Sequence, residues 1–185
     1  STPIAGKTIV VVGTGNLGGA MIRLLVPLDP KIIGVNRKGG AVDGCSKVIT
    51  VDKIDSILSE ADILYLAMPE TPETKNLISR KRLDLLKPSC GIVNIGRQST
   101  LDYEALCEKL RANKIAGAIL DVFTPEPIEL NSKLWEIPNL IITPHVSADD
   151  GESYVRLTLE LFTKNLKLFI SNKPLINQVN KNLGY

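Results

Sequence analysis

The chain has 185 residues, 44% hydrophobic and 23% charged, an ordinary globular composition with room for one domain and a tail. A net charge of +2, carried by scattered lysines and arginines, argues against nucleic acid or an anionic membrane as partner. No apolar stretch reaches the ~20 residues that span a bilayer, and three widely spaced cysteines fit neither a disulfide framework nor a zinc site.

The first element is KTIVVV, Lys7 to Val12, an apolar run that reads as a buried parallel strand. Helical spacing follows from Asn16 to Val26 through Leu17, Met21, Leu24 and Leu25, and Pro27 stops it. Lys31 to Val35 and Lys47 to Val51 are the next strands. Ile54, Ile57 and Leu58 predict a short helix over Ile54 to Glu60. DILYLAM, Asp62 to Met68, is another buried strand, closed by Pro69. Thr74 to Leu86 is predicted to hold one or two short helices, ended by Pro88. Gly91 to Ile95 is a strand. Asp102 to Asn113 is a helix, with Asp102 as cap and Leu106 and Leu110 facing inward. Ile115 to Leu120 and Leu140 to Thr143 complete the strands. Glu152 to Ile170 reads as one long helix with Leu157, Leu161 and Leu168 on a stripe. The end, SNKPLINQVNKNLGY, is polar with a small apolar patch.

Strands and helices alternate with short connections up to Asp150. That order predicts an α/β fold, a doubly wound parallel sheet covered on both faces and therefore three layers deep. The boundaries expected are a nucleotide-type domain over residues 1–150 and a C-terminal helix and tail over 151–185.

The chemistry starts at GTGNLG, Gly13 to Gly18. The first glycine permits the tight turn, the second lets backbone approach a pyrophosphate, and the third lets helix pack on strand. The loop follows a predicted strand and opens a predicted helix, the context that a dinucleotide site requires. A structural turn, or a methyltransferase-type loop for another nucleoside, is the alternative. Gly13, Gly15, Asn16, Leu17 and Gly18 are thus candidate cofactor contacts.

The second strand ends in VNRKGG, Val35 to Gly40. An acidic residue at this corner would hydrogen-bond the ribose 2′-hydroxyl of NAD and repel a 2′-phosphate. Here Asn36 carries no charge, and Arg37 and Lys38 offer donors to a phosphate. The corner predicts NADP(H) as the favoured cofactor, with NAD(H) possible.

Three further pieces fall just past predicted strands: NIGRQ with Arg97, LDVFTPEP with Asp121 and Glu126, and TPH with His145, the chain's only histidine. In an open parallel sheet, ligands bind outside the carboxyl ends of the strands. The set suits reduction of a 2-keto acid. An arginine fork holds the carboxylate and carbonyl. A protonated histidine supplies the proton as hydride reaches the carbonyl carbon. A neighbouring carboxylate orients the ring.

Taken with ADILYLAMPETPETKNLI, LKPSCGIVNIGR, KIAGAILDVFTPEP and LWEIPNLIITPHVS, these motifs resemble the D-isomer-specific 2-hydroxyacid dehydrogenases over most of residues 3 to 148. The resemblance implies a Rossmann-type NAD(P)-binding domain. It implies that Arg97 binds the substrate carboxylate and carbonyl and that Glu126 and His145 form the acid–base pair. It implies that Asp121 holds the nicotinamide carboxamide, with Ser147 and the Ile95–Gly96 backbone nearby. Pro69 and Thr74 match the loop on the adenosine and phosphate side. The basic corner and the ending HVSADD look closest to the NADPH-using glyoxylate and hydroxypyruvate reductase branch. A cytoplasmic homodimer assembled through the nucleotide domains, acting on a small 2-keto or 2-hydroxy acid, is implied too. No metal is expected.

Two departures stand out. Gln98 occupies the place of the glycine that usually follows the catalytic arginine. The chain also begins almost at the first nucleotide-domain strand, so the family's second, substrate-closing domain is expected to be missing. The expectation is the cofactor-binding part of a longer enzyme, weakly active alone, with residues 151–185 returning toward the missing domain. The alternative is a non-catalytic module that senses a dinucleotide and docks a protein partner.

Overall fold

Alternate residues of the apolar run Thr8–Val12 (β1) go to opposite faces of one sheet. Ile9 and Val11 pack with Ile22 and Ile32 on one side. Val10 and Val12 pack with Ile33, Val35, Leu64 and Leu66 on the other. A strand buried on both faces has no polar alternation to show, which is why the run is continuous.

The structure is a computed structural model describing residues 3–181. It divides into two units, with the boundary between His145 and Val146. In the first unit β1 is followed by α1 (Asn16–Leu25), β2 (Lys31–Asn36), β3 (Lys47–Thr50) and β4 (Ile63–Leu66). Then come α2 (Arg80–Leu83), β5 (Gly91–Asn94), α3 (Tyr103–Arg111), β6 (Gly117–Leu120) and β7 (Leu140–Ile142). The seven strands form one parallel sheet in the order β3-β2-β1-β4-β5-β6-β7. The chain runs outward from β1 to β3, returns to β4 beside β1, and runs outward again. The β1–β4 junction is therefore the switch point, where two successive loops part and leave a crevice.

Two apolar clusters fill the space on either face. The larger gathers Ile54, Ile57, Leu58, Leu83, Leu106 and Leu110 against the sheet, and the smaller is capped by Ile22 of α1. Burying a side chain such as Ile22 contributes roughly 1.5–3 kcal/mol. Asp102 caps α3, its carboxylate accepting the Ala105 N–H at 2.9 Å. Three-layer α/β architecture is thus as expected.

Several local expectations are corrected. Ile54 to Glu60 is not an α-helix but two 3-10 turns, Val51–Ser56 and Leu58–Glu60. Ser56 donates its hydroxyl to the Lys53 carbonyl and Ile57 leaves helical geometry at φ −123, so the turns cannot merge. Of Thr74 to Leu86, only Arg80–Leu83 is α-helical. Its front half is held instead as a turn by hydrogen bonds between Thr71 and Thr74.

The second unit holds α4 (Tyr154–Ile170), in which no residue is fully buried. Leu161, Asn165 and Leu168 are half-buried while Leu157 is exposed. Asn165 ties the following segment back to the helix. It donates to the Ile176 carbonyl at 3.0 Å and accepts the Ile176 N–H at 2.8 Å.

Candidate active site

All seven strands are parallel, so their carboxyl ends share one edge, and the loops that leave it carry the candidate residues. At β1 the glycine loop is shaped by two close approaches. Gly13 has φ +91, and a Cβ there would stand 2.8 Å from the Met68 nitrogen at the end of β4. A Cβ on Gly18 would stand 1.9 Å from the Gly13 carbonyl oxygen. Gly15 differs. A Cβ there meets nothing within 4 Å, and the residue lines a cleft of about 580 Å³ with Thr14, Asn16, Gly19, Arg23, Val42 and Asp43. Gly15 is the N-cap of α1 and brings no side-chain cap, and the first turn contains no acid. Protein packing does not explain Gly15. The open helix start leaves room for a ligand there, and the dipole favours an anion. These residues fit the diphosphate of a dinucleotide. Asn16 and Leu17 are exposed in the same turn.

At the β2 end, Asn36 folds the corner rather than reaching outward. Its side-chain oxygen accepts the N–H groups of Lys38 at 3.1 Å and Gly39 at 2.7 Å. Its nitrogen donates to Thr14 Oγ1 at 3.0 Å, within the glycine loop, and to the Gly40 carbonyl at 3.4 Å. Asn36 thus ties the corner to the phosphate loop, while Arg37 and Lys38 are exposed. The charge of Arg37 contributes, after hydrogen bonds from Thr71 and the Glu73 backbone, to holding the Glu73 carboxyl below its usual range. The loop after β4 therefore reaches toward the same corner. In that loop Thr74 Oγ1 donates to the Pro69 carbonyl at 2.7 Å and accepts the Thr71 N–H at 2.7 Å. Pro69 and Thr74 are braced by each other.

At the β5 end Ile95 is half-buried, Gly96 buried and Arg97 exposed. Arg97 Nη1 donates to the Gly96 carbonyl at 2.7 Å. At the β6 end Asp121 is 1% exposed and accepts the Thr143 hydroxyl. Its own N–H donates to the Asn94 carbonyl at 3.0 Å. Five residues on, Glu126 lies between cis peptides to Pro125 and Pro127, and its carboxylate faces two partners. Oε1 accepts the Phe123 N–H at 2.7 Å, and Oε2 lies 2.9 Å from His145 Nδ1. His145 follows β7 with φ +56, a conformation uncommon for a side-chain-bearing residue and typical of sites where placement matters.

The hydrogen bond from His145 is the largest cause holding the Glu126 carboxyl below its ordinary range. The Phe123 N–H comes next, and the charge of Arg97 adds to it. Glu126 is therefore ionised near neutral pH. A carboxylate on Nδ1 leaves Nε2 as the ring atom that can hold or release a proton. Glu126 thus feels both His145 and the charge of Arg97, from loops that leave β6, β7 and β5. Ser147 is exposed and belongs to the second unit. Among the described residues no His, Cys, Asp and Glu cluster could hold a metal, and no helix is long and apolar enough to cross a membrane.

Sequence periodicity did not single out Asn94, Tyr103, Thr14 or Thr71, all of which hold these loops. For Asn94 a signal exists: it is a lone amide inside the apolar run GIVNIG, and it is 0% exposed.

The family model of the D-isomer specific 2-hydroxyacid dehydrogenase NAD binding domain matches residues 1–147. A glyoxylate reductase of Pyrococcus furiosus is 35% identical over 89% of this chain and 48% of its own length. A hydroxypyruvate reductase of Thermotoga maritima is 34% identical over 89% of this chain and 53% of its own. The crystal structure of an NADPH-dependent glyoxylate/hydroxypyruvate reductase from Sinorhizobium meliloti, in complex with NADP and sulfate, superposes with a TM-score of 0.91. That protein is 29% identical, and the match covers 100% of this chain and 59% of that one. The chain spans about half the length of the curated relatives it matches. With its glycine loop at the switch point and its family match over residues 1–147, the chain belongs to the D-isomer specific 2-hydroxyacid dehydrogenases, as their NAD-binding domain.

Proposed function

We propose that the chain is the cofactor-binding half of a reductase that transfers hydride from NADPH to a small 2-keto acid such as glyoxylate or hydroxypyruvate. The observation that carries this reading is the Glu126–His145 pair, 2.9 Å apart, within the electrostatic reach of Arg97. A module that only senses a dinucleotide has no use for a paired imidazole and carboxylate beside an exposed arginine.

When bound, a reduced nicotinamide supplies the hydride. Arg97 holds the substrate carboxylate and carbonyl oxygen through its planar fork. His145 delivers a proton from Nε2 to that oxygen as negative charge builds on it. Glu126 keeps Nδ1 protonated and fixes the ring plane, and the imidazolium it stabilises is restored from solvent. Asp121, braced by Thr143, offers an acceptor to the nicotinamide carboxamide, with the Ile95–Gly96 backbone completing that end. Arg37 and Lys38 bind the 2′-phosphate, and the Asn36 turn sets their position.

A cytoplasmic homodimer belongs to the same proposal. Cys45, Cys90 and Cys107 are all unbridged. Ile119 on β6 and Ile141 on β7 are 38% and 58% exposed, an uncovered apolar strip of sheet that a second copy would bury. Sedimentation at micromolar concentration is expected to give twice the chain mass, and a monomer would remove that element.

The catalytic test is a chimera joining this chain to the part of the Pyrococcus furiosus glyoxylate reductase outside the match. It is expected to oxidise NADPH with glyoxylate or hydroxypyruvate. A chimera that binds NADPH yet reduces neither acid would favour the sensing module.

A further inference from the structure

The Arg97 turn and the Glu126 loop leave different strands, yet a buried polar chain links them. Asn94, 0% exposed, accepts the Gly96 N–H on its side-chain oxygen at 3.0 Å. Its nitrogen donates to the Arg97 carbonyl at 3.2 Å and to the Tyr103 hydroxyl at 3.3 Å. The Arg97 carbonyl is also held by the Thr100 hydroxyl at 2.7 Å. Tyr103 lies at the start of α3 and is 8% exposed. It donates its hydroxyl to the Val122 carbonyl at 2.7 Å. The carbonyl of Val122 and the N–H of Phe123 belong to one planar peptide unit, so fixing the first orients the second. That N–H is the donor that holds Glu126 Oε1 at 2.7 Å. The Tyr103 ring also meets the Phe123 ring edge-on, with centroids 6.2 Å apart.

We propose that Tyr103 is a positioning residue of the site. Its hydroxyl, held between Asn94 and the Val122 carbonyl, locks the Arg97 turn and the Glu126 loop into one frame. The proposal rests on the reading of Arg97, Glu126 and His145 given above, and it assigns a role to a side chain that touches neither substrate nor cofactor. Nothing about packing alone requires the hydroxyl, since a phenylalanine would fill the same space. Burial pushes the Tyr103 phenol well above its ordinary range, so the hydroxyl remains a donor throughout the working pH range. A buried chain of this kind is stiff because each broken link strands a polar group away from water.

The test is nuclear magnetic resonance on the whole chain, comparing Tyr103→Phe and Glu126→Gln with the unaltered protein. The chain's single histidine gives one set of imidazole signals. In Tyr103→Phe, the Phe123 amide proton is expected to move upfield and exchange with solvent about tenfold faster, and the imidazole signals to shift with it. Amides of β1 and β2 should not change. Phe123 and His145 signals that superpose on those of the unaltered chain would overturn the proposal. Glu126→Gln separates the two claims. If it leaves the imidazole signals unmoved, the Glu126–His145 pairing itself is wrong, whatever Tyr103 does. Should Tyr103→Phe not fold, the unaltered chain still decides. A slowly exchanging Tyr103 hydroxyl proton close to the Val122–Phe123 backbone is expected, and a rapidly exchanging one would overturn the proposal.

Discussion

Glu126 and His145 meet at 2.9 Å although 19 residues and one strand separate them. The pairing comes from β6 and β7 lying side by side, which sets their two exit loops next to each other. The Phe123 N–H then turns the carboxylate toward the ring.

Replacing Glu126 by glutamine removes the charge while keeping the shape. In the chimera it should lower kcat about a hundredfold with little change in KM for NADPH. The pH profile gives the sign. Glu126 is held below the usual carboxylate range, so the pair is intact at neutral pH and above. It is lost as pH falls through that lowered value. The unaltered enzyme should show this acidic limb and Glu126→Gln should not. An unchanged kcat would remove Glu126 from the mechanism.

Gly15 and Gly18 separate ligand from packing. Gly18→Ala drives a methyl against the Gly13 carbonyl and should lower stability by roughly 1–3 kcal/mol. Gly15→Ala meets open space at an ordinary φ of −73 and should melt within a degree or two of the unaltered chain. Its affinity for NADPH should nonetheless fall about tenfold or more, because the methyl stands where the diphosphate comes close. Calorimetric melting and binding on the two variants check both halves. A Gly15→Ala variant with full affinity would contradict the site.

Asp62 pins the start of the sheet. It accepts the Thr8 N–H at 2.8 Å and the Lys87 ammonium at 2.7 Å, and the Lys87 bond is the main cause of its lowered carboxyl. A depressed carboxylate stabilises the fold above its unfolded pKa and stops doing so as pH falls through its folded value. Asp62→Asn should therefore cost about 1–2 kcal/mol near neutral pH in urea unfolding. The difference should shrink toward zero in acid, below the carboxylate range. A gap that persists there would mean that shape rather than charge is responsible.

The alternation of apolar runs with helical stretches was enough to read the sheet, because each parallel strand is buried on both faces and leaves an unbroken apolar signature. The same reasoning put Arg97, Glu126 and His145 on one edge, since each lies just beyond a strand. It failed where short-range hydrogen bonds outweigh periodicity. Ile54, Ile57 and Leu58 have helical spacing, yet Ser56 closes a 3-10 turn on Lys53. Thr71 and Thr74 turn the chain where a helix was expected. Asn36 read as a missing charge, but its role depends on Thr14, 22 residues away, which no local pattern reveals. Tyr103 stood inside a predicted helix with no pattern to single it out. Only the fold shows that its hydroxyl ends on Val122.

The preference for NADPH turns on the basic corner at the end of β2. The most direct measurement is a calorimetric titration of this chain with NADPH and with NADH at one low ionic strength, repeated on Arg37→Asp. The unaltered chain should bind NADPH at least about tenfold more tightly, as a charge-assisted contact to a 2′-phosphate requires. Arg37→Asp should erase that preference. Equal binding of the two cofactors would make Arg37 and Lys38 a solvated loop, and binding of neither would contradict the cofactor cleft itself.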